Sequence, residues 1–269
     1  MKHEHTFRQS WLKTATICPE RGRLELVGQM PERETDAAAI GTAVHAGIEQ
    51  FLREDIHTYR DALDLALTRF EEIEQHPSFT WSKYSHRTAE ARIALYLGHW
   101  WEIRHQFTPL EVEWNFTKKF YEDNERIIYL SGTVDLVDQR LGLIDWKTSG
   151  SGAYDTWEYD RWAVQPTVYT WAWHGTEITQ HPFTYCVMHK DGIQQFTVWR
   201  SQADWGWLTQ RVVQYARMIE LNLSEWPMHD DHALCSAKWC PAWSQCKGGF
   251  FYHAGVAEAA DATDSNSVA

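Results

Sequence analysis

Residues 127–148 read IIYLSGTVDLVDQRLGLIDWKT, and this stretch decides the fold. Apolar and polar residues alternate on both sides of Asp138-Gln139-Arg140-Leu141-Gly142, as in two half-buried strands joined by a tight turn. If the strands pair antiparallel about Arg140, Asp135 faces Asp145, because both lie equally far from the turn. Side chains alternate along a strand, so Lys147 shares the face of Asp145, while Val134, Ile144 and Trp146 point to the other, apolar side. Like charges placed opposite each other on a sheet repel. A divalent cation held by oxygen ligands removes that repulsion, and a lysine beside it can orient a water that attacks phosphorus. The same three residues on an exposed face also fit a solvated ion pair, so the spacing leaves both readings open.

Working outward, the period changes. Residues 37–53 place Ile40, Val44, Ile48 and Phe51 on one helical stripe, with Thr35 and Asp36 as caps. Helical spacing also runs over 7–18, 61–74 and 88–105. Residues 110–116 alternate strictly and predict a strand just before the hairpin. After the Ser149–Gly152 loop come an aromatic helix over 161–173, a hairpin (183–189 and 193–199) turned at Asp191-Gly192, and a helix over 203–223. Residues 254–269 are small and polar, and disorder is expected there. The order predicts one mixed α/β domain over residues 1–253: helices, a meander, a helix, two more strands and a helix.

Composition limits the partners. The 269 residues carry 25 Lys and Arg against 37 Asp and Glu, a net charge of −12, which disfavours holding nucleic acid by bulk charge. A local basic groove on an acidic body stays open, with Lys83, Arg87, Arg92, Lys118 and Lys119 as candidates for a DNA track or for a plain solvated face. No apolar run is long enough to span a bilayer and no signal-peptide core follows Met1, so a cytoplasmic protein without a membrane partner is expected.

Three spacings together resemble a known family. Gly132-x-x-Asp135 followed by Asp145-x-Lys147-Thr148 is similar to the core of the PD-(D/E)XK nuclease superfamily, in its RecB-like exonuclease branch. Gly41-x-x-x-His45-x-x-x-Glu49 resembles that branch's metal-binding helix, and Gln165-x-x-x-Tyr169 its Q-x-x-x-Y helix. The resemblance covers about residues 7–253. It implies a restriction-endonuclease-like core, a central mixed sheet flanked by helices, with an N-terminal helical part. It implies a Mg²⁺- or Mn²⁺-dependent deoxyribonuclease acting in recombination, repair or phage DNA processing. Asp135, Asp145, His45 and the Trp146 carbonyl are then the metal ligands, Lys147 the water-positioning base, and Gln165 and Tyr169 residues that line the site. Glu49 could orient His45 or be surface charge, and Glu113 could reach the site from the neighbouring strand. Pro166 directly after Gln165 either kinks that helix or falls in its first turn, with the helix then starting near Gln165.

The cysteines extend the resemblance. Cys235, Cys240 and Cys246 crowd near the C-terminus and Cys18 stands far upstream, a pattern unlike a disulfide framework. It resembles the iron–sulfur clamp of AddB-type and CRISPR-associated RecB-like nucleases, where four such cysteines hold a [4Fe–4S] cluster. Four thiolates also suit zinc, and four buried cysteines without metal are a third reading. Cys186 sits in an alternating strand and is expected in the core. The sequence shows no phosphate-binding Gly-x-x-x-x-Gly-Lys-Ser/Thr loop, so the chain either works alone or borrows the motor of a helicase or recombination protein. A non-catalytic nucleic-acid-binding subunit and a structure-specific endonuclease remain alternatives.

Overall fold

A computed structural model describes residues 2–152, 163–175, 180–229 and 234–246. The tail at 254–269 and the first residues of the helix expected over 161–173 lie outside the described residues. In chain order the elements are β1 (His3–Arg8), α1 (Gln9–Ile17), α2 (Pro19–Leu26), β2 (Glu34–Thr35), α3 (Asp36–Leu52), α4 (Tyr59–Glu74), β3 (Phe79–Thr80), α5 (His86–Ile103), β4 (Pro109–Glu122), β5 (Arg126–Asp138), β6 (Gly142–Thr148), α6 (Val164–His174), β7 (Gln180–His189), β8 (Gly192–Ser201) and α7 (Gln202–Glu220). The chain divides into two compact units, Met1–Gln9 with Arg33–Val213, and Ser10–Glu32 with Gln214–Ala269.

The first unit is a mixed α/β body built on a six-stranded sheet. β4, β5 and β6 form the antiparallel meander that the alternation predicts. β7 then joins β6 in parallel, and β8 closes the hairpin antiparallel to β7. A parallel neighbour requires a crossover, and α6 lies on it. β1 pairs in parallel with the first half of β5, from His3 opposite Arg126 to Arg8 opposite Ser131. This strand is a correction to the helix expected from residue 7: the helix begins at Gln9, because Phe7 (3% exposed) joins the sheet core instead of a helical stripe.

α3 buries the stripe read from its sequence, including Ile40, Val44 and Ile48. It packs with α4 and α5 into one core with Leu136, Ile144, Trp146, Cys186 and Met188 of the sheet. Trp100, Phe107 and Trp146 contact one another there at ring separations of 5.1 to 6.2 Å. Burying aromatic side chains of this size is among the larger apolar contributions to a core. Thr35 caps α3 by accepting the Ala38 N–H at 3.3 Å. The buried Asp36 accepts from Ser82 Oγ and from the N–H groups of Ser82, Lys83 and Tyr84, which fixes the approach to α5.

The second unit contains an aromatic cluster of Trp11, Tyr215 and Trp226, with the last two stacked at 6.1 Å. Gly22 lies so close to Ala15 that a Cβ on it would meet the Ala15 Cβ at 2.6 Å. Buried Glu20 pairs with Arg23 and accepts the Trp226 N–H at 2.8 Å. No helix among the described residues is long and apolar enough to cross a membrane.

Candidate active site

The β5–β6 ladder follows the register expected about Arg140: Asp138 opposes Gly142, Val137 opposes Leu143 and Leu136 opposes Ile144. Continued by one step, that register sets Asp135 opposite Asp145, but backbone pairing stops before this pair. The Trp146 N–H turns to the Asp135 side chain instead, at 2.8 Å from Oδ2. β6 meanwhile pairs with β7 through Thr148. The strands therefore part at the two acids, and the gap between them is where the candidate side chains collect.

α3 supplies the imidazole. A Cβ on Gly41 would stand 3.3 Å from Thr148 Oγ1, so a glycine lets the helix run close to the end of β6. His45, at the edge of the buried stripe, sets Nε2 2.9 Å from the Trp146 carbonyl oxygen and Nδ1 3.5 Å from Asp135 Oδ2. Glu49 does not reach this imidazole. It pairs with Arg53 at 2.9 Å, and Arg53 also donates to the Val112 carbonyl. Of its two readings, orienting His45 is therefore overturned.

α6 closes the other side. Among the described residues the helix runs from Val164 and holds Pro166 in its first turn, one of the two placements left open by the sequence. Gln165 Nε2 donates to Asp145 Oδ1 at 2.5 Å. Tyr169, one turn on, donates to Gln9 Oε1 at 3.4 Å and crosses Phe116 edge-on. The glycine of the Gly132-x-x-Asp135 motif has a spatial cause here: a Cβ on Gly132 would lie 2.9 Å from the Tyr169 ring and 3.2 Å from Phe116.

Lys147 forms an ion pair with Asp145 Oδ2, an oxygen that receives no directed hydrogen bond. Asp145 is buried, whereas the Asp135 side chain keeps 12% exposure. Burial pushes the Asp135 carboxyl up to about 6; Asp145 acts in the same direction, against His45 and Lys147. Glu113 joins the same row from β4, since Val112 opposes Leu136 and Trp114 opposes Val134. Its φ of 52° lies in the left-handed region, unusual for a side chain of this size. Burial, then Asp135 and Glu49, push its carboxyl up to about 8, with Arg53 opposing. Gln9 is the residue that sequence reasoning missed: it precedes every motif, and only the β1–β5 pairing carries it here.

The donors suit a hard divalent cation, being carboxylate oxygens, one carbonyl and one imidazole. Asp145 Oδ2, held by Lys147 alone among the described residues, is the oxygen such an ion would share. As the side chains stand, no set of three or more His, Cys, Asp and Glu among the described residues is arranged around a metal position.

The second unit holds the other predicted group. Cys18, Cys235, Cys240 and Cys246 line one largely apolar cavity with Ile17, Met228, Leu234 and Trp243. None is in a disulfide, and Cys246 Sγ lies 3.5 Å from Met228 Sδ. The four thiols are gathered, but no three of them close around a metal position. Cys186 is buried in β7, where burial pushes its thiol well above the usual range.

A family model of the PD-(D/E)XK nuclease superfamily matches residues 6–247. Among solved structures, the crystal structure of SSO0001 matches with a TM-score of 0.47 and 16% identity, over 93% of this chain and 89% of the other. No curated protein matches the chain significantly.

Proposed function

The chain belongs to the PD-(D/E)XK nuclease superfamily, whose members hydrolyse phosphodiester bonds, and from that premise we propose that it is a metal-dependent DNA exonuclease of the RecB-like type, acting in recombination, repair or phage DNA processing. The observation that carries this reading is the parting of β5 and β6 at Asp135 and Asp145, with Lys147 on the latter. His45 on the Trp146 carbonyl and Gln165 on Asp145 support the RecB-like assignment, because both of that branch's helical motifs converge on the same acids. Residues 1–253 are proposed to act as one nuclease domain.

Asp135, Asp145, His45 and the Trp146 carbonyl would hold Mg²⁺ or Mn²⁺. When bound, the ion supplies charge stabilisation on the phosphoryl oxygens. Lys147 orients the attacking water from the end of a rigid strand. The water oxygen bonds to phosphorus and gives up one proton, the P–O ester bond breaks, and the leaving oxygen takes up a proton, so the step is proton-neutral overall. Gln165 fixes the Asp145 carboxylate, and Tyr169 walls the site. Cys18, Cys235, Cys240 and Cys246 would hold a [4Fe–4S] cluster, with zinc as the competing occupant; their shared cavity is the support.

End-labelled linear single- and double-stranded DNA, incubated with Mg²⁺ or Mn²⁺ and protein purified without oxygen, tests the reading. Wild type is expected to shorten the substrate from an end, and Lys147→Ala to be inactive. Internal cuts would replace exonuclease by endonuclease. Inert wild type with its cluster intact would favour the non-catalytic subunit.

A further inference from the structure

A cationic cluster beside the site has no role in the hydrolysis described so far. Lys83 Nζ lies 5.2 Å and Arg92 Cζ 4.2 Å from the centre of the Tyr84 ring. Arg92 donates to Tyr96 Oη at 2.5 Å, and Tyr96 donates to the Ser149 carbonyl at 2.7 Å. Arg92 Nε is buried without a hydrogen-bond partner among the described residues. Neither cation forms an ion pair there with a carboxylate. Asp36 accepts from Ser82 Oγ and from the N–H groups of Ser82, Lys83 and Tyr84, so it fixes the segment through its backbone, and Glu90, two residues before Arg92, pairs with His86.

The cluster sits against the loop that leaves β6. A Cβ on Gly150 would come within 2.6 Å of Lys83 Nζ and closer still to Tyr84 Oη, so both side-chain ends lie against this backbone. Ser149 and Ser151 hydroxyls lie 2.9 Å apart in the same loop. On its other flank, Asp191 Oδ2 lies 3.5 Å from where a Cβ on Gly152 would be, and Asp191 is itself 3.9 Å from Lys190 Nζ. Two cations beside one ring, with no carboxylate paired to either among the described residues, repel each other, and an anion shared between them reverses that cost. Gly150 is three residues beyond Lys147, at most about 10 Å along an extended chain.

We propose that Lys83, Tyr84 and Arg92, with the Ser149–Gly152 loop, form a second phosphate-binding subsite that grips the nucleic-acid backbone beside the scissile bond. The inference rests on the nuclease reading above. Arg92 supplies the remaining Nη donors of a guanidinium held in place by Tyr84 and Tyr96, and Lys83 a mobile point charge, a pair suited to a backbone phosphate. Phosphate contacts position a strand without reading its sequence, so the subsite sets affinity and placement rather than base preference.

The test uses the full chain and a fluorescent single-stranded oligonucleotide. Binding is measured against salt in the Lys147→Ala background, and kcat and KM in the otherwise wild-type protein. Lys83→Gln and Arg92→Gln are each expected to raise Kd and KM roughly tenfold, with kcat within about twofold. The slope of log K against log salt should flatten by about 0.7 for each charge removed. Arg60→Gln, which removes an exposed charge from α4, serves as the control for a general charge effect. Lys83 is exposed, so its variant keeps the inference testable if Arg92→Gln fails to fold. An unchanged Kd and slope in Lys83→Gln, while Lys147→Ala abolishes cleavage, would overturn the subsite and leave the nuclease reading standing. A slope reduced equally by Arg60→Gln would also overturn it. Wild type that neither binds nor cleaves would overturn both.

Discussion

The acid pair of the first unit and the cysteine cavity of the second both gather groups that repel or react unless occupied, but their frames differ. Asp135, Asp145 and Lys147 stand on two strands whose register is set by backbone hydrogen bonds, and each carboxylate is also held by a named donor, Trp146 N–H or Gln165. Of the four cysteines, Cys18 precedes α2, while Cys235, Cys240 and Cys246 lie on turns outside any long helix or strand. A site on a sheet is positioned before anything binds, whereas thiols on turns would take their order from the proposed cluster.

That contrast can be broken experimentally. The largest effect expected is on turnover: Lys147→Ala should lower kcat by about 10²–10⁴-fold while leaving the far-ultraviolet circular dichroism unchanged. Cys240→Ser should do the reverse, removing visible absorption and bound iron. Its loss of hydrogen-exchange protection should be confined to residues 10–32 and 214–246, with β5 and β6 unaffected. Equal loss of protection in β5 and β6 would end the distinction between the two frames.

Smaller effects sharpen it. Gly132→Ala forces a methyl against Tyr169 and Phe116, and should cost about 1–3 kcal/mol in denaturant unfolding while also lowering kcat. Asp36 gives a pH signature. Burial pushes its carboxyl up, but the Ser82 hydroxyl and the N–H groups of Tyr84, Lys83 and Ser82 hold it below the usual range overall. A carboxyl lowered in the folded state contributes stability above its unfolded value and loses it as pH falls through the folded value. Asp36→Asn should therefore be less stable than wild type by about 1–3 kcal/mol at pH 7, and the gap should close in strong acid. A gap independent of pH would show that the side chain acts by packing alone.

Much of the candidate site was legible because it follows local periodicity. Alternation about Arg140 placed Asp135, Asp145 and Lys147, and the stripe of α3 left His45 at its edge. Glu113 was visible only as an acid on a neighbouring strand. Its left-handed backbone and raised carboxyl come from the pairing of β4 with β5 and from the burial that follows. Glu49 was ambiguous because one helical turn serves His45 and Arg53 equally well, and the side-chain geometry chose Arg53. Gln9 carried no signal, since β1 is a short run whose partner lies more than a hundred residues away.

By itself, the sequence determined the strand and helix periods, the antiparallel hairpin about Arg140 and the face shared by Asp145 and Lys147. These depend on alternation and turn chemistry within a few residues. Only the tertiary structure decided that the strands part at the acids and that Gly132 must be glycine to admit Tyr169. The same holds for Gln165 reaching Asp145 across the β6–β7 crossover, and for Lys83 and Tyr84 meeting Gly150 with Arg92 over the Tyr84 ring. Each of these is a contact between segments distant in the chain, and local pattern carries no record of which surfaces meet when the core closes.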